Sequence, residues 1–348
     1  MGPVMWQVVG QPKAVELLRR SLEAGRLSHA YLFVGRRHVG KMTLALELAR
    51  AVNCEAEERP CGQCSSCARI LAGNHADIQV VAKLAAENSN NGSLKKEIGI
   101  GQIRELGRAA SLRPYEGRYR VFIIDGAEYL NQESANCLLK TLEEPPPNVI
   151  LALLASSDSA LLPTITSRCQ RVGLLPVPAP LIEQELVSRR GVEAEQARVL
   201  SRVCRGAIGW AISAATSGSL LEERRHSLDE LIGLINSDLD GRFAYAAQLA
   251  AQFGRSRDSI FVALERWLGW WRDVLLVREG AAEFVADVDY LDMLQRQATS
   301  FTLAEIRGAM EAIKRAAEEL ERNANPRLVL EVLMLDLPSG RRGSQWLR

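Results

Sequence analysis

Apolar residues are distributed differently in the two halves of the chain. In the first half, short unbroken apolar runs alternate with stretches of helical spacing. Ala30–Val34 (AYLFV) is such a run; the tight segment GRRHVGK follows it, and Thr43–Arg50 (TLALELAR) is then apolar at helical intervals. A second unit opens at Arg120, where RVFIID has the pattern of a buried strand ending in an acid. The helix containing SANCLLKTLEE comes next and stops at Pro145-Pro146-Pro147, and VILALLAS supplies a third core strand. Strands apolar on both faces and alternating with helices predict a parallel sheet covered on both sides, an α/β fold. Glu87–Ser93 (ENSNNGS) has the polarity of a loop. From Pro176 the strand signal disappears: PVPAP predicts a linker, and the remainder is helical with breaks near Gly191, Gly206, Gly218 and Gly254. The expected domains are therefore an α/β domain over 1–175, a small helical domain over 176–217, an all-α domain over 218–338 and a mobile tail over 339–348.

Composition narrows the class. With 348 residues the chain is too long for one ordinary core, and 47% hydrophobic with 24% charged residues is the balance of a soluble globular protein. No apolar run reaches the roughly 18 residues that a membrane span needs, and the opening MGPVMWQVVGQ has no signal-peptide core, so a cytoplasmic location is expected. Lys plus Arg number 43 against 42 Asp plus Glu, a formal charge of +1. That balance gives no global attraction to nucleic acid, and any DNA contact must come from a local surface.

Gly35-Arg36-Arg37-His38-Val39-Gly40-Lys41 matches G-x-x-x-x-G-K between a strand and a helix, a P-loop. Its glycines let backbone N–H groups face phosphate oxygens, and Lys41 can reach the terminal phosphates. The motif wants Ser or Thr after the lysine, whose hydroxyl holds Mg²⁺. Here that position is Met42, a thioether with little affinity for a hard cation. Thr43 follows, about 100° away around a helix. Asp125 ends the RVFIID strand, where a Walker-B acid would help hold the metal, but the next residue, a water-activating glutamate in AAA+ motors, is Gly126. Glu128 lies farther along and is expected to point elsewhere. Binding of ATP or ADP through Gly35, Gly40, Lys41, Met42, Thr43 and Asp125 stays open; efficient turnover is not expected.

Four of seven cysteines cluster: Cys54, Cys61, Cys64 and Cys67 have the spacing C-x6-C-x2-C-x2-C. Two overlapping C-x2-C steps place three thiolates around one point, and Cys54 can close a tetrahedron suited to structural Zn²⁺. An iron–sulfur cluster is the rival, although the C-x3-C-P element is absent; free thiols are the plain alternative. Cys137, Cys169 and Cys204 lie outside the cluster, and Cys137 belongs to an apolar helix. Farther on, Trp267, Trp270 and Trp271 share one helix face, either as core or as a packing surface for another subunit. The helix IRGAMEAIKRAAEELERNAN has charged and apolar faces and is expected to pack on one side.

VVGQPKAVELLRRSLEAGRLSHAYLFVG, the four-cysteine segment, SANCLLKTLEEPPP and TITSRCQ stand in the order found in clamp-loader subunits of bacterial DNA polymerase III. The chain resembles that family over residues 5–175, and again at 323–338 (NANPRLVLEVLMLDLP), which is similar to the family's last collar helix. The resemblance implies an AAA+, RecA-like P-loop domain with a helical lid and an all-α collar, zinc at the four cysteines, and assembly with gamma/tau and delta subunits. It also implies action on the sliding clamp and, through the complex, on primed DNA; Gln102–Leu106 (QIREL) opens a helix that in related subunits lies toward the DNA. In Ser167-Arg168-Cys169 the arginine matches the family's arginine finger, which reaches the ATP site of a neighbouring subunit; the plain reading is a surface arginine opening the next strand. Ser156-Ser157 occupies the sensor-1 region. Gly209, within Gly206-Ala207-Ile208-Gly209-Trp210-Ala211, stands where motors carry the sensor-2 arginine. Together with Met42 and Gly126 it favours the delta-prime branch, with an ATP-hydrolysing gamma/tau-like motor as the alternative. An unrelated P-loop kinase or nucleic-acid-binding module leaves the SRC segment, the cysteines and the collar-like end unexplained.

Overall fold

Among the described residues, five short parallel strands build one sheet: β1 (Ala30–Val34), β2 (Ile78–Val81), β3 (Arg120–Asp125), β4 (Val149–Ala155) and β5 (Gln170–Gly173), in the order β2-β3-β4-β1-β5. They come from a computed structural model that describes residues 6–83 and 97–340; the expected loop at 87–93 and the tail beyond residue 340 lie outside the described residues. Every residue of β1 and β4 is buried, which is why these runs are apolar without alternation. The pleat nevertheless sorts them. Leu32, Phe122, Ile124, Leu151 and Leu153 face one layer with the helices Ile100–Ala110 and Gln132–Glu143. Tyr31, Phe33, Val121, Ile123, Ile150 and Leu154 face the other, with the helices Pro12–Glu23 and Lys41–Asn53. The edge strands β2 and β5 are only partly buried and were not expected from the apolar pattern.

All five strands run in the same direction, so the loops after β1, β3 and β4 emerge together at the carboxyl ends of the strands. That is where an open parallel sheet places a ligand site. Asn131 fixes the start of the Gln132–Glu143 helix by accepting from the Ser134 N–H at 2.9 Å.

The chain divides into two compact units, Met1–Gly191 with Arg205–Ala211, and Val192–Cys204 with Ile212–Arg348. Among the described residues the second unit is helical. Its core contains Trp267, Trp270 and Trp271, all fully buried, and the Trp270 indole N–H donates to Gln297 at 2.7 Å. The shared tryptophan face is thus interior. Leu303–Glu321 packs by one stripe, Ile306, Ala309, Ile313, Ala316 and Leu320, as its two-faced pattern predicts, and a Thr302/Glu305 capping box starts it. Arg242, buried, donates to the carbonyls of Leu234, Ile235, Met334, Leu337 and Pro338, so one side chain satisfies the ends of two helices, Ser219–Asn236 and Pro326–Asp336. No helix among the described residues is long and apolar enough to cross a membrane.

Candidate functional site

The P-loop joins β1 to the helix Lys41–Asn53, with Gly40 at its N-cap in the left-handed region (φ 108°). Lys41 does not project freely. Its Nζ donates to the carbonyls of Gly35 (2.6 Å) and Arg36 (2.9 Å), so the ammonium caps its own loop. Burial lowers its pKa, opposed by the charges of Glu128 and Asp125. Met42 packs against the apolar layer of Tyr31 and Phe33, on the core side of the helix, and Thr43 is exposed. Neither offers a hydroxyl beside Lys41 for a magnesium ion.

Asp125 is exposed at the end of β3. Gly126 follows with φ +77°, and a Cβ there would lie 2.5 Å from Cδ2 of Tyr129. The glycine is therefore not an open vacancy for a glutamate: its backbone is left-handed and an aromatic ring fills the side-chain direction. Tyr129 is itself held, its hydroxyl accepting from the Arg37 guanidinium of the P-loop and its ring lying 3.4 Å from Lys83 Nζ. The short 3₁₀ turn Ala127–Tyr129 also corrects the expectation for Glu128. The turn curls the chain back, so Glu128 points to the site: one carboxylate oxygen accepts from the Ser156 hydroxyl (2.9 Å) and N–H (3.3 Å), and the other is buried without a hydrogen bond. Ser156, in the region expected for sensor 1, is thus already engaged by a carboxylate.

Gly209 makes a further internal tie. Its N–H donates to the His38 carbonyl at 2.8 Å, and a Cβ would stand 3.1 Å from that oxygen. Arg36 donates to the Arg205 carbonyl at 3.3 Å. The position matching the sensor-2 arginine is in backbone contact with the P-loop instead of reaching toward a phosphate with a long side chain.

Arg168 lies just past the short helix Pro163–Thr166. Its Nη1 donates to the Thr164 carbonyl at 2.9 Å and its Nη2 pairs with Glu143 at 2.9 Å, with the side chain 37% exposed. Both terminal nitrogens are thus engaged within the chain, and the partial exposure leaves the guanidinium accessible to an incoming anion that competes for its N–H donors.

The four clustered cysteines come together. Cys54 caps the end of the Lys41–Asn53 helix, Cys64 caps the start of Ser65–Leu71, and Cys61 and Cys67 flank Cys64. All four Sγ atoms lie within 4.8 Å of one another, a group that could hold a metal ion. Four thiolates around a tetrahedral zinc stand about 3.8 Å apart, so a small contraction closes the site. The N–H groups of Cys61, Cys64 and Cys67 donate to the sulfurs of Cys54 (3.3 Å), Cys61 (3.3 Å) and Cys64 (3.5 Å). Backbone donors from Gln63 and Cys64 bring the Cys61 thiol down to about 6, whereas burial pushes Cys54 up and Cys67 up to about 12. A bound cation would reverse the burial effect on the last two, because a coordinated thiol is deprotonated. Next to the cluster, Arg50 is fully buried, and its Nε and Nη2 meet no hydrogen-bond acceptor in good geometry. An orphaned buried cation beside four thiols fits a centre that becomes anionic on loading. Of the other cysteines, Cys137 is partly buried on the apolar layer beneath the sheet, as its helix predicts.

Residues 10–178 match the family described as DNA polymerase III, delta subunit. Over 331 residues the chain is 29% identical to DNA polymerase III subunit delta' of Bacillus subtilis, covering 95% of this chain and 97% of that protein. It is 31% identical over 372 residues to DNA polymerase III subunit gamma/tau of Mycobacterium tuberculosis, covering 96% of this chain but only 61% of the relative. Among solved structures, a DNA polymerase III gamma subunit-related protein from Thermotoga maritima overlaps 92% of this chain and 97% of its own, with 18% identity and a TM-score of 0.44.

Proposed function

The chain belongs to the DNA polymerase III clamp-loader subunit family, and on that premise we propose that it is the delta-prime-type stator, completing a ring of subunits without cleaving ATP in its own pocket. Its chemical contribution is made next door. Arg168, carried at the surface after Pro163–Thr166, enters the ATP site of a neighbouring motor subunit and meets the charge that spreads over a transferring γ-phosphoryl group. Fingers of this kind raise hydrolysis by about 10³ to 10⁵-fold. The partners are the gamma/tau and delta subunits; the ring acts on the sliding clamp and on primed DNA during replication in the cytoplasm. The lid over 176–217 and the collar over 218–338 belong to this proposal.

The observation that carries it is Gly126. Its left-handed backbone and the Tyr129 ring 2.5 Å from a Cβ leave no room for a water-activating carboxylate. Met42, turned to the core, supports the same reading, as does Gly209 in contact with the P-loop. Gly35, Gly40 and Lys41 could still hold the phosphates of ATP or ADP, with Lys41 drawn off its own loop carbonyls. The four cysteines would bind one structural Zn²⁺; with four protein thiolates no position is left for a reacting water. The test is magnesium-dependent ATP hydrolysis by the isolated chain. Background rates are expected, and a turnover of about 1 per second, within the ordinary enzyme range, would assign the chain to the gamma/tau-like motors.

A further inference from the structure

Arg50 is buried as deeply as any residue in the protein, yet it is short of acceptors. Nη1 pairs with Glu47 one turn earlier, while Nε, Nη2 and the second oxygen of Glu47 have no partner in good geometry. A buried guanidinium with two unmatched nitrogens is expensive, and one carboxylate whose own pKa is raised by burial does not remove that cost. The surroundings say what is missing. Arg50 lies one helical turn before Cys54 on the Lys41–Asn53 helix, so the two side chains share a face. The guanidinium also lies beside the Cys67 side chain. When four thiols give up their protons to a divalent ion, the centre carries a net charge of −2 in a region where Cys54 and Cys67 are fully buried.

We propose that Arg50 is the counter-cation of the four-cysteine centre: its unmatched nitrogens face the thiolates, so that metal and guanidinium bind the same buried anionic group from two sides. The inference rests on the zinc reading above and goes further, because it assigns a role to a residue that is not a ligand. It explains why a long charged side chain occupies a helix position otherwise suited to an aliphatic one. It also predicts opposite effects in the two states. Without metal Arg50 is a burden; with metal it is a partner.

The experiment uses the purified full chain, stripped and reloaded with Zn²⁺ in competition with a chromophoric chelator, alongside thermal unfolding of the metal-free form. The variant Glu47→Gln/Arg50→Met removes both buried charges at nearly constant volume. It is expected to bind zinc about 10 to 100-fold more weakly, the range seen when outer partners of a metal site are lost, while its metal-free form unfolds no earlier than wild type. Arg50→Lys, which keeps the cation, should retain most of the affinity. Cobalt substitution supplies a second readout, a shift of the thiolate-to-metal charge-transfer bands in the neutral variant. Should the double variant not fold, Glu47→Gln/Arg50→Gln carries the same comparison. Equal zinc affinity and unchanged cobalt bands in the neutral variant would overturn the role of Arg50 while leaving the zinc site standing. A wild-type chain that takes up no zinc would remove the metal site and the proposal together.

Discussion

Giving this pocket the residues of an ATP-hydrolysing motor should harm the protein before it helps it. Consider Met42→Thr with Gly126→Glu, which rewrites the pocket toward a motor. A side chain at Gly126 must adopt φ +77°, and left-handed backbone costs a non-glycine residue about 1–2 kcal/mol. Its Cβ would also stand 2.5 Å from the Tyr129 ring, so the ring has to swing away. That movement breaks the hydrogen bond from Arg37 and the contact with Lys83, together about 1–2 kcal/mol. The expected total is about 2–4 kcal/mol, or roughly 5–15 °C in the melting of a unit of this size. Calorimetry, which can separate the transitions of the two units, gives the stability, and a coupled assay gives ATP turnover. Tyr129→Ala alone should cost about 1–2 kcal/mol by losing the same contacts, yet added to the double variant it should cost little more, a coupling between neighbours that a double-mutant cycle reads directly. Turnover should stay at background, since Glu128 still holds Ser156 and Gly209 brings no arginine. If the double variant melts with wild type, or gains a hundredfold in ATPase, the steric account of Gly126 is wrong.

Other consequences are as direct. Arg242→Met strands five carbonyls at two helix ends and should cost about 3–5 kcal/mol by denaturant titration; a loss under about 1 kcal/mol would deny the staple. Burial alone would push the Asp77 carboxyl up, but N–H groups of Glu116, Tyr115 and Gly117 and the Arg120 guanidinium outweigh it and hold it below the ordinary carboxylate range. Because the folded value is depressed, this stabilisation is complete above the unfolded pKa and drains away as pH falls through the folded one. Asp77→Asn should therefore lose stability at neutral pH, with the gap to wild type closing below about pH 4; a gap independent of pH would count against it. Chelator treatment should release one zinc per chain and lower the melting of the first unit alone; iron, or no metal, by elemental analysis would contradict the assignment.

The central sheet was legible because burial on both faces writes itself as uninterrupted apolar runs, as in β1, β3 and β4. The edges were not. Ile78–Val81 and Gln170–Gly173 are four residues each and half-exposed, too short for either period to register. The four cysteines could be grouped from spacing alone, since three of them fall within seven residues of chain and fold into one corner. The tryptophans show the limit of helical periodicity, which says that Trp267, Trp270 and Trp271 share a face but not what covers it. The features that matter most for the pocket are contacts across sequence distance: Glu128 on Ser156, Tyr129 on Arg37, Gly209 on His38. Sequence flagged Gly126 and Gly209 as absences; in three dimensions the chain has filled both places.

The decisive measurement is ATP hydrolysis in a ring reconstituted from motor subunits, a delta subunit and this chain, carrying either arginine or alanine at position 168. Arg168→Ala should assemble normally and lose about 10³-fold or more at the one site that this chain faces. A variant ring hydrolysing ATP at the wild-type rate at every site would contradict it.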